Sequence, residues 1–360
     1  GEVVKYGFST SEEVPERVKD ADVLVINKIE INEQTIGTAK NLKLVCVTAT
    51  GTNNLDKEYL EKRGIAWRNV AGYSTESVTQ HTFALLFYLL EKMRYYDEYV
   101  KTEKYVNDTI FTHFAEHFNE ISGKTWGIIG LGAIGVLVAN AATHLGMDVY
   151  GYDPYVSVDS AWRLSRSIHH TTNVDEIYEN CDYITVHVPA LGSTKGMIGK
   201  DALGLMKEGV IVLNFARDVL VDSEAMVDAL VAGKVKHYVT DFPTPEIAGV
   251  KGAIVIPHLG ASTEESEDNC AKMAVKEVMD YLENGNIKHS VNYPDCDMGL
   301  RGDKTRILVL HHNVPNMIGQ ISAFLAKDNM NIADLTNKSK GKYAYTMIDV
   351  DSEVPDGVVE

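Results

Sequence analysis

Four side chains in the second half of the chain could carry out acid–base chemistry on a small anion. Arg217 follows the apolar run VIVLNFA, and His258 follows AIVIP. Asp241 and Glu246 lie at and just after the end of YVTDF. Histidine exchanges protons near neutral pH, a nearby carboxylate raises a histidine pKa by roughly 1–3 units, and arginine holds a carboxylate through two parallel hydrogen bonds. Taken singly, each has an ordinary alternative: a surface arginine, a solvated carboxylate or a histidine paired within the core.

A glycine pattern upstream of these groups is typical of a dinucleotide site. A short apolar strand precedes Gly130, Gly132 and Gly135, which follow as G-x-G-x-x-G at the start of an apolar helix. The first glycine makes the turn, the second lets the backbone approach a pyrophosphate, and the third lets helix and strand pack closely. The helix N-terminus, with Ala133 and Ile134, offers free N–H groups to the phosphates.

The acidic residue after the next predicted strand favours NAD over NADP. That strand is Asp148–Tyr152, and Asp153 follows it, where a carboxylate can accept hydrogen bonds from the adenosine ribose hydroxyls. The next arginine is Arg163, so nothing adjacent would neutralise a 2′-phosphate. Glycines also occur in ordinary turns, but the glycines, the flanking strand and helix and the terminal acid together predict an NAD site.

The composition indicates a globular protein of two or three domains. The 360 residues are 45% hydrophobic with a net charge of −17, which argues against nucleic acid and anionic membranes as partners. The longest apolar run, Phe83–Leu90, is too short to span a bilayer. Four separated cysteines without a C-x-x-C pair are typical of reduced thiols in a cytoplasmic protein. No H-x-x-H pattern with a third ligand occurs, so no metal is expected.

The order of the apolar runs predicts an α/β fold. Ser74 and Thr75 are N-cap candidates for a long helix reaching about Tyr99, Gly146 is a plausible C′ residue, and Ser262 is the expected N-cap in a capping box. A parallel sheet would gather its strand ends, and the polar groups after them, on one side. The expected strands outside the glycine region are Val23–Ile26, Leu44–Thr48, Ile65–Asn69, Tyr183–Val188, Val210–Phe215, Tyr238–Phe242 and Ala253–Ile256.

These motifs resemble the D-isomer-specific 2-hydroxyacid dehydrogenases along nearly the whole chain. NFARDVLVD resembles the family's arginine motif, which implies that Arg217 binds the substrate carboxylate. TDFPTPE resembles the D-x-F-x-x-E stretch, which implies that Glu246 pairs with the catalytic histidine and that Asp241 faces the nicotinamide carboxamide. PHLGAST implies that His258 is the acid–base residue. Asp218 replaces the family's usual glycine, and the order of Pro and Glu in TDFPTPE is inverted.

The resemblance also implies further site residues and a reaction. Thr50 and Gly51 fall where the family's backbone amides hold the substrate carboxylate, and Pro189 and Gly260 fall in the cofactor site. During oxidation of a 2-hydroxy acid, the hydroxyl proton would pass to His258 while hydride leaves C2 for NAD.

The family's architecture implies two Rossmann-like, doubly wound parallel-sheet domains and a partial α+β domain. Residues 1–99 with 260–295 would form a discontinuous substrate-binding domain, residues 100–259 the NAD-binding domain, and residues 305–360 a partial ACT regulatory domain. The active site would lie in the cleft between the first two, where closure expels water.

The last segment resembles the ACT domain found at the end of many phosphoglycerate dehydrogenases. His311, Asn313 and Asn331 match positions that bind the inhibitor serine between two ACT units, which implies a homodimer or homotetramer. Asn316 replaces the usual glycine. The family's first strand is missing before Gly1 and the ACT unit stops early. We therefore expect a fragment or a recombined chain in which serine binding is weak or absent.

The sequence leaves the substrate open. From about residue 125 the chain resembles phosphoglycerate dehydrogenases, and the ACT-like tail favours D-3-phosphoglycerate as the substrate. Before that point KIEINEQT and NVAGYSTESVTQHT resemble the glycerate dehydrogenase (hydroxypyruvate reductase) subgroup, and Lys28 stands where phosphoglycerate enzymes tend to have an arginine. Two alternatives from other classes are an NAD-sensing, corepressor-like binding protein and an amino-acid-sensing module with an inert catalytic lobe.

Overall fold

The computed structural model describes residues 2–355, and the chain divides into two compact units. One unit comprises residues 1–73 and 267–360, and the other comprises residues 74–266. The chain therefore passes between units after Tyr73 and Ser266, whereas the family resemblance implied boundaries at residues 99 and 260. Gly1 and the last five residues of the ACT segment lie outside the described residues.

The first unit begins with a parallel sheet of three strands in the order β1-β2-β3. All four residues of the central strand are buried, as expected for a strand with neighbours on both sides. The parallel α/β class is confirmed, but within residues 2–73 the strands follow chain order, so the sheet winds in one direction only. The elements are α1 (Val14–Arg17), β1 (Val23–Ile26), α2 (Glu33–Ile36), β2 (Leu44–Val47), α3 (Lys57–Arg63) and β3 (Ala66–Asn69).

The second unit alternates helices and strands along most of its length. Its elements are α4 (Thr75–Leu90), α5 (Met93–Lys101), β4 (Thr125–Ile129), α6 (Ala133–His144), β5 (Asp148–Tyr152), α7 (Val158–Arg163), β6 (His169–Thr171), α8 (Val174–Asn180), β7 (Tyr183–Val186), α9 (Lys200–Leu205), β8 (Val210–Asn214), a 3₁₀ turn (Asp218–Leu220), α10 (Ser223–Ala232), β9 (Val235–Thr240) and β10 (Ala253–Val255).

The seven strands of the second unit form one parallel sheet in the order β10-β9-β8-β7-β4-β5-β6. The winding direction reverses between β4 and β7, which confirms the doubly wound prediction for this unit. In such sheets the crevice outside the carboxyl ends of the two strands at the reversal is the usual ligand site. Helices cover both faces, and two hydrophobic cores lie against the sheet.

The predicted helix from Ser74 to Tyr99 is two helices. Helix α4 ends at Leu90, and α5 begins at Met93 after Lys92 adopts a left-handed conformation with φ 52°. Continuous apolar periodicity concealed this break, because a left-handed lysine leaves no pattern in the sequence. Leu86 and Leu89 of α4 pack in the same core as Trp126, so this helix belongs to the second unit.

The remaining described residues form one long helix and a small antiparallel sheet. The capping residue of the long helix was predicted one position too early. Thr263 Oγ1, and not Ser262, accepts a hydrogen bond from the Ser266 N–H. The small sheet has the order β11-β13-β12, so the βαββ pattern expected for residues 306–351 is confirmed. The elements are α11 (Glu264–Asn284), β11 (Thr305–His312), α12 (Met317–Lys327), β12 (Ile332–Lys340) and β13 (Tyr343–Val350).

A buried ion pair joins two strands of the small sheet, and its arginine also bonds the segment before them. Arg306 of β11 donates to both carboxylate oxygens of Asp349 on β13, at 2.6 and 2.8 Å. Its Nη1 also donates to the carbonyl oxygens of Asn284 and Gly299. The Arg306 hydrogen bonds hold the pKa of the Asp349 carboxyl below its ordinary value.

All four cysteines are buried free thiols. Cys46 on β2 and Cys270 on α11 share a small hydrophobic cluster of the first unit, and burial raises the pKa of each to about 11. Cys181 lies in a core of the second unit, where burial raises its pKa to about 12. Burial also raises the pKa of Cys296. Among residues 2–355, no helix is long and apolar enough to cross a membrane.

Candidate active site

The three glycines of the fingerprint form a tight turn between β4 and α6. Gly130 has φ 97°, and a Cβ there would lie 2.7 Å from the His187 carbonyl oxygen. A Cβ at Gly135 would lie 1.9 Å from the Gly130 carbonyl oxygen, so the helix can approach the strand only at glycine. A Cβ at Gly132 would meet no atom within 4 Å. Space therefore remains beside Gly132, where the dinucleotide interpretation needs a close approach to phosphate.

The start of α6 suits a phosphate group. Gly132 is the N-cap and supplies no side-chain cap, so the first-turn N–H groups, including those of Ala133 and Ile134, have no side-chain acceptor there. Asp153 follows β5 beside this turn. Its Oδ2 accepts from the Leu131 N–H at 2.9 Å, and its Oδ1 accepts from the Tyr155 N–H at 2.8 Å. Each oxygen keeps a second lone pair for a ribose hydroxyl.

The end of β7 forms the other side of the glycine turn. His187 N–H donates to the Ile129 carbonyl oxygen, and the Pro189 carbonyl oxygen accepts from Thr194 Oγ1 at 2.6 Å. Burial lowers the pKa of His187 to about 4, so this ring is neutral at physiological pH. The predicted cofactor residues Gly130 and Pro189 thus lie on facing strand ends, where the sheet reverses direction.

Asp241 and His258 form a close carboxylate–histidine pair in the second unit. Asp241 follows β9, is 1% exposed, and accepts through Oδ2 from His258 Nδ1 at 2.7 Å. The other carboxylate oxygen, Oδ1, is buried without a hydrogen-bond partner among the described residues. The His258 ring packs against Phe242 with the ring centroids 4.2 Å apart. Nδ1 is therefore committed to Asp241, which leaves Nε2 for proton exchange.

In this structure His258 bonds Asp241 rather than Glu246, so the functional pairing of Glu246 with His258 stays a prediction. Glu246 is exposed, and hydrogen bonds from its own backbone and from Thr244 lower its pKa. The physical reason is local: Asp241 directly follows a buried strand, whereas Glu246 lies in a turn facing solvent. The sequence pattern could not rank the two carboxylates, because both come after the same strand.

Arg217 lies beside the pair. It follows β8, and its guanidinium lies 5.6 Å from the centroid of Phe242, the ring that also packs on His258. Asn214 Nδ2 donates to the Arg217 carbonyl oxygen at 2.8 Å, and Arg217 Nη1 donates to the Ala216 carbonyl oxygen at 2.6 Å. Three successive neighbouring strands, β8, β9 and β10, thus present an arginine, a carboxylate and a histidine, as their spacing in the sequence predicted.

Two residues of the second unit complete the cluster, and the sequence interpretation missed one of them. His81 of α4 has its Nε2 3.9 Å from Asp241 Oδ2, and its ring packs edge-on against Phe215. Gly260, a predicted cofactor residue, accepts through its carbonyl oxygen from Ser77 Oγ at 2.6 Å, and a Cβ there would lie 3.6 Å from Asp241 Oδ2. The available signal for His81 was its place one helical turn after Val78, on the side of α4 that Val78 buries.

Thr50 and Gly51 lie in the first unit, in the loop after β2. Thr50 Oγ1 donates to the Val70 carbonyl oxygen at 3.2 Å, and Asn69 Nδ2 donates to the Thr50 carbonyl oxygen at 2.6 Å. These bonds fix the loop against the end of β3. The expected role of the loop amides in holding a carboxylate stays a prediction.

The three predicted serine-binding residues lie at both ends of the small sheet. His311 pairs with Ala344, whereas Ile332, the neighbour of Asn331, pairs with Val350. Six residues of strand at about 3.4 Å each separate the two positions by roughly 20 Å. One copy of the chain therefore does not gather His311 and Asn313 with Asn331 around one small molecule.

Known proteins share both the sequence and the fold. Residues 83–260 match the family described as "D-isomer specific 2-hydroxyacid dehydrogenase, NAD binding domain". D-3-phosphoglycerate dehydrogenase of Archaeoglobus fulgidus is 32% identical over 82% of this chain, and the chain spans about half (55%) of that relative. The enzyme of the same name from Haemophilus influenzae is 27% identical over 95% of this chain and 83% of its own length.

A solved structure agrees with these sequence matches. D-lactate dehydrogenase of Aquifex aeolicus, in complex with NAD and lactic acid, superposes with a TM-score of 0.62 at 26% identity. The match covers 74% of this chain and 85% of that one.

Proposed function

We propose that this chain, whose residues 83–260 match the NAD-binding domain of the D-isomer specific 2-hydroxyacid dehydrogenases, oxidises a small D-2-hydroxy acid with NAD. The observation that carries the proposal is the 2.7 Å bond between His258 Nδ1 and buried Asp241, with Arg217 on the same aromatic ring. A histidine oriented by a carboxylate and an adjacent guanidinium are the groups that this oxidation needs.

Each side chain has one task in the proposed reaction. Arg217 binds the substrate carboxylate as a permanent cation with two parallel donors. His258 accepts the hydroxyl proton at Nε2, and Asp241 stabilises the imidazolium that results. NAD, when bound, would supply the acceptor for the hydride from C2, which balances the conversion of the alcohol to a 2-oxo acid. His258 would later release its proton to water. In the reverse direction His258 returns the proton to the carbonyl oxygen.

The residues present fit NAD. The orphaned Asp241 Oδ1 is an acceptor that an amide N–H, such as that of the nicotinamide carboxamide, would satisfy. Gly132 leaves room for the pyrophosphate next to the N-terminus of α6. Asp153 would accept from the ribose hydroxyls and would repel a 2′-phosphate.

We propose D-3-phosphoglycerate as the substrate, supported by the named function of the Archaeoglobus and Haemophilus relatives. The test is NADH formation from D-3-phosphoglycerate, D-glycerate and D-lactate, each followed by absorbance at several concentrations. We expect the highest kcat/KM for the phosphorylated acid. A preference for D-glycerate would move the chain to the hydroxypyruvate reductase subgroup.

The control for this assay is His258→Asn, which removes the proton acceptor while keeping NAD binding. Turnover should fall roughly 10²–10⁴-fold, the usual contribution of a general base. If the wild type binds NAD but oxidises none of the acids, the proposal fails and a cofactor-sensing binding protein takes its place.

We further propose that the chain forms a homodimer or homotetramer and binds serine through its last segment. The support is the placement of His311 and Asn313 at one end of the small sheet and of Asn331 at the other, which suits a ligand shared by two copies. Calorimetry with serine, and with alanine as the control lacking the hydroxyl, tests this. Equal heats for the two amino acids would count against it. Four buried free thiols support a cytoplasmic location.

A further inference from the structure

His81 is a buried polar group to which the proposed reaction assigns no task. Its side chain is 16% exposed, and its Nε2 is buried without a hydrogen-bond partner among the described residues. A buried donor without an acceptor is destabilising, so an ordinary core histidine would have both ring nitrogens bonded. The nearest charged atom is Oδ2 of Asp241, the same atom that already accepts from His258.

We propose that His81 is a positioning residue that shares Asp241 with His258 and so limits how firmly His258 holds its proton. The inference rests on the proposed function, since it concerns the same acid–base pair. Two imidazoles converge on one carboxylate oxygen, at 2.7 Å from His258 and at 3.9 Å from His81. With its proton on Nε2, His81 completes a second hydrogen bond to Asp241 after a shift of about 1 Å.

A second hydrogen bond to Asp241 Oδ2 changes how strongly that oxygen can stabilise His258. A second donor on Oδ2 draws electron density from the carboxylate, which weakens the stabilisation that Asp241 gives to a protonated His258. Burial lowers the pKa of His81, and the charge of His258 lowers it further, while Asp241 opposes both effects. His81 is thus a neutral donor near pH 7. When protonated at lower pH, it repels a charged His258, so both forms of His81 act in the same direction.

Other charged and titratable groups around the pair are compatible with this task. Arg217 stands across Phe242 as a permanent cation. Tyr238 of β9 has its pKa raised chiefly by burial, with Asp241 adding to the effect, and it stays neutral near pH 7. Neither group changes charge near neutrality. A difference in the titration of His258 between variants at position 81 can therefore be assigned to His81.

The function of this arrangement is to keep His258 available as a base. A carboxylate alone would favour the imidazolium, which cannot accept the hydroxyl proton of a 2-hydroxy acid. By weakening the attraction between Asp241 and the imidazolium, His81 favours the form of His258 that can accept a proton. Oxidation gains most from this, because reduction of the 2-oxo acid begins from the protonated histidine.

Two substitutions separate the donor from the bulk of the ring. His81→Phe keeps a flat ring against Phe215 but removes the N–H, whereas His81→Gln keeps a donor near the position of Nε2. Full-length protein labelled with ¹³C at histidine Cε1 is titrated by NMR, and the His258→Asn spectrum assigns the His258 signal. We expect the midpoint of that signal to rise by about half a pH unit or more in His81→Phe. The midpoint in His81→Gln should stay close to the wild type.

Kinetics provide a second readout. The acidic limb of kcat/KM for the oxidised acid should move to higher pH in His81→Phe by the same amount, with the KM for NAD unchanged. A histidine that only fills space would alter the height of the profile and leave its midpoint in place. Where His81→Phe lacks a cooperative unfolding transition, the smaller His81→Leu serves as the donor-free variant.

An unchanged or lowered His258 midpoint in the folded donor-free variant would overturn the inference, as would a rise of equal size in His81→Gln. The NMR titration requires no turnover. Failure of the dehydrogenase proposal would appear as absent NADH formation by the wild type, whatever the titration shows, so the two failures are distinguishable.

Discussion

Replacing Asp241 by asparagine should lower kcat/KM for the 2-hydroxy acid by roughly 10–1,000-fold. The carboxylate is 1% exposed and bonds His258 Nδ1 at 2.7 Å, so the amide keeps the volume but loses the charge that stabilises the imidazolium. A close opposite charge stabilises a charged group by about 1.4–4 kcal/mol, and each 1.4 kcal/mol is a tenfold change in rate. The estimate assumes that this stabilisation is fully present in the transition state.

The matched control is Glu246→Gln, which makes the same chemical change five positions further along. Glu246 is exposed, and the hydrogen bonds that lower its pKa come from its own backbone and from Thr244 in the same turn. We therefore expect kcat/KM within about threefold of wild type. Initial rates of NADH formation are measured for both variants at saturating NAD. NAD affinity by fluorescence and thermal unfolding are recorded alongside, so that a folding or cofactor defect is not counted as a catalytic one.

The reversed result would refute the pairing of Asp241 with His258. If Glu246→Gln loses a hundredfold while Asp241→Asn stays within a few-fold, Glu246 is the functional partner, as the family resemblance implied. Similar large losses in both variants would mean that each carboxylate acts at a different step. The rates would then be separated in the oxidising and reducing directions.

Three further outcomes are expected. Gly135→Ala should lower the free energy of unfolding by about 1–3 kcal/mol, since its Cβ would lie 1.9 Å from a backbone oxygen. Gly132→Ala should unfold like the wild type yet bind NAD more weakly. Unfolding curves and fluorescence titrations with NAD check the two outcomes. NAD should bind at least about tenfold more tightly than NADP, and Asp153→Asn should narrow that ratio in the same titration. Asp349→Asn should destabilise the protein by roughly 3 kcal/mol, because Arg306 stays buried without its partner. The pKa of Asp349 is lower in the folded state than in the unfolded state. The stability difference between wild type and Asp349→Asn should therefore be constant at pH values well above the unfolded pKa of about 3.9, and should shrink as pH falls through the folded pKa. Urea unfolding of both proteins across that pH range measures this difference.

The sequence predicted best those strands and turns whose structure is determined by the local residue pattern alone. The strand Asp148–Tyr152 and the left-handed Gly146 appear as expected, because apolar runs between glycines leave few alternatives. The short strand β6 was missed, since His169–Thr171 carries no apolar signal and forms only by pairing with β5. Asn316 shows the reverse case: its φ of 67° explains both the family's usual glycine there and the tolerance for asparagine.

The site was harder to predict than the fold. The order of strands brings Arg217, Asp241 and His258 together, and that order follows from the parallel winding alone. Which carboxylate reaches His258 depends on side-chain direction at the end of β9, and this is set by packing. His81 joins from a helix more than a hundred residues earlier, so no spacing rule could link it to Asp241.

The four buried thiols make the stability of each unit separately measurable. A thiol with a pKa of about 11 is a thiolate in about one molecule in 10⁴ at pH 7, and the buried sulfur is also shielded from reagents. Alkylation of the native protein therefore reports transient opening rather than surface reactivity. Labelling of Cys46 and Cys270 times opening of the first unit, whereas labelling of Cys181 times opening of the second. A ligand that binds only the second unit would slow the labelling of Cys181 in proportion to the ligand concentration above Kd. The labelling rates of Cys46 and Cys270 would stay unchanged.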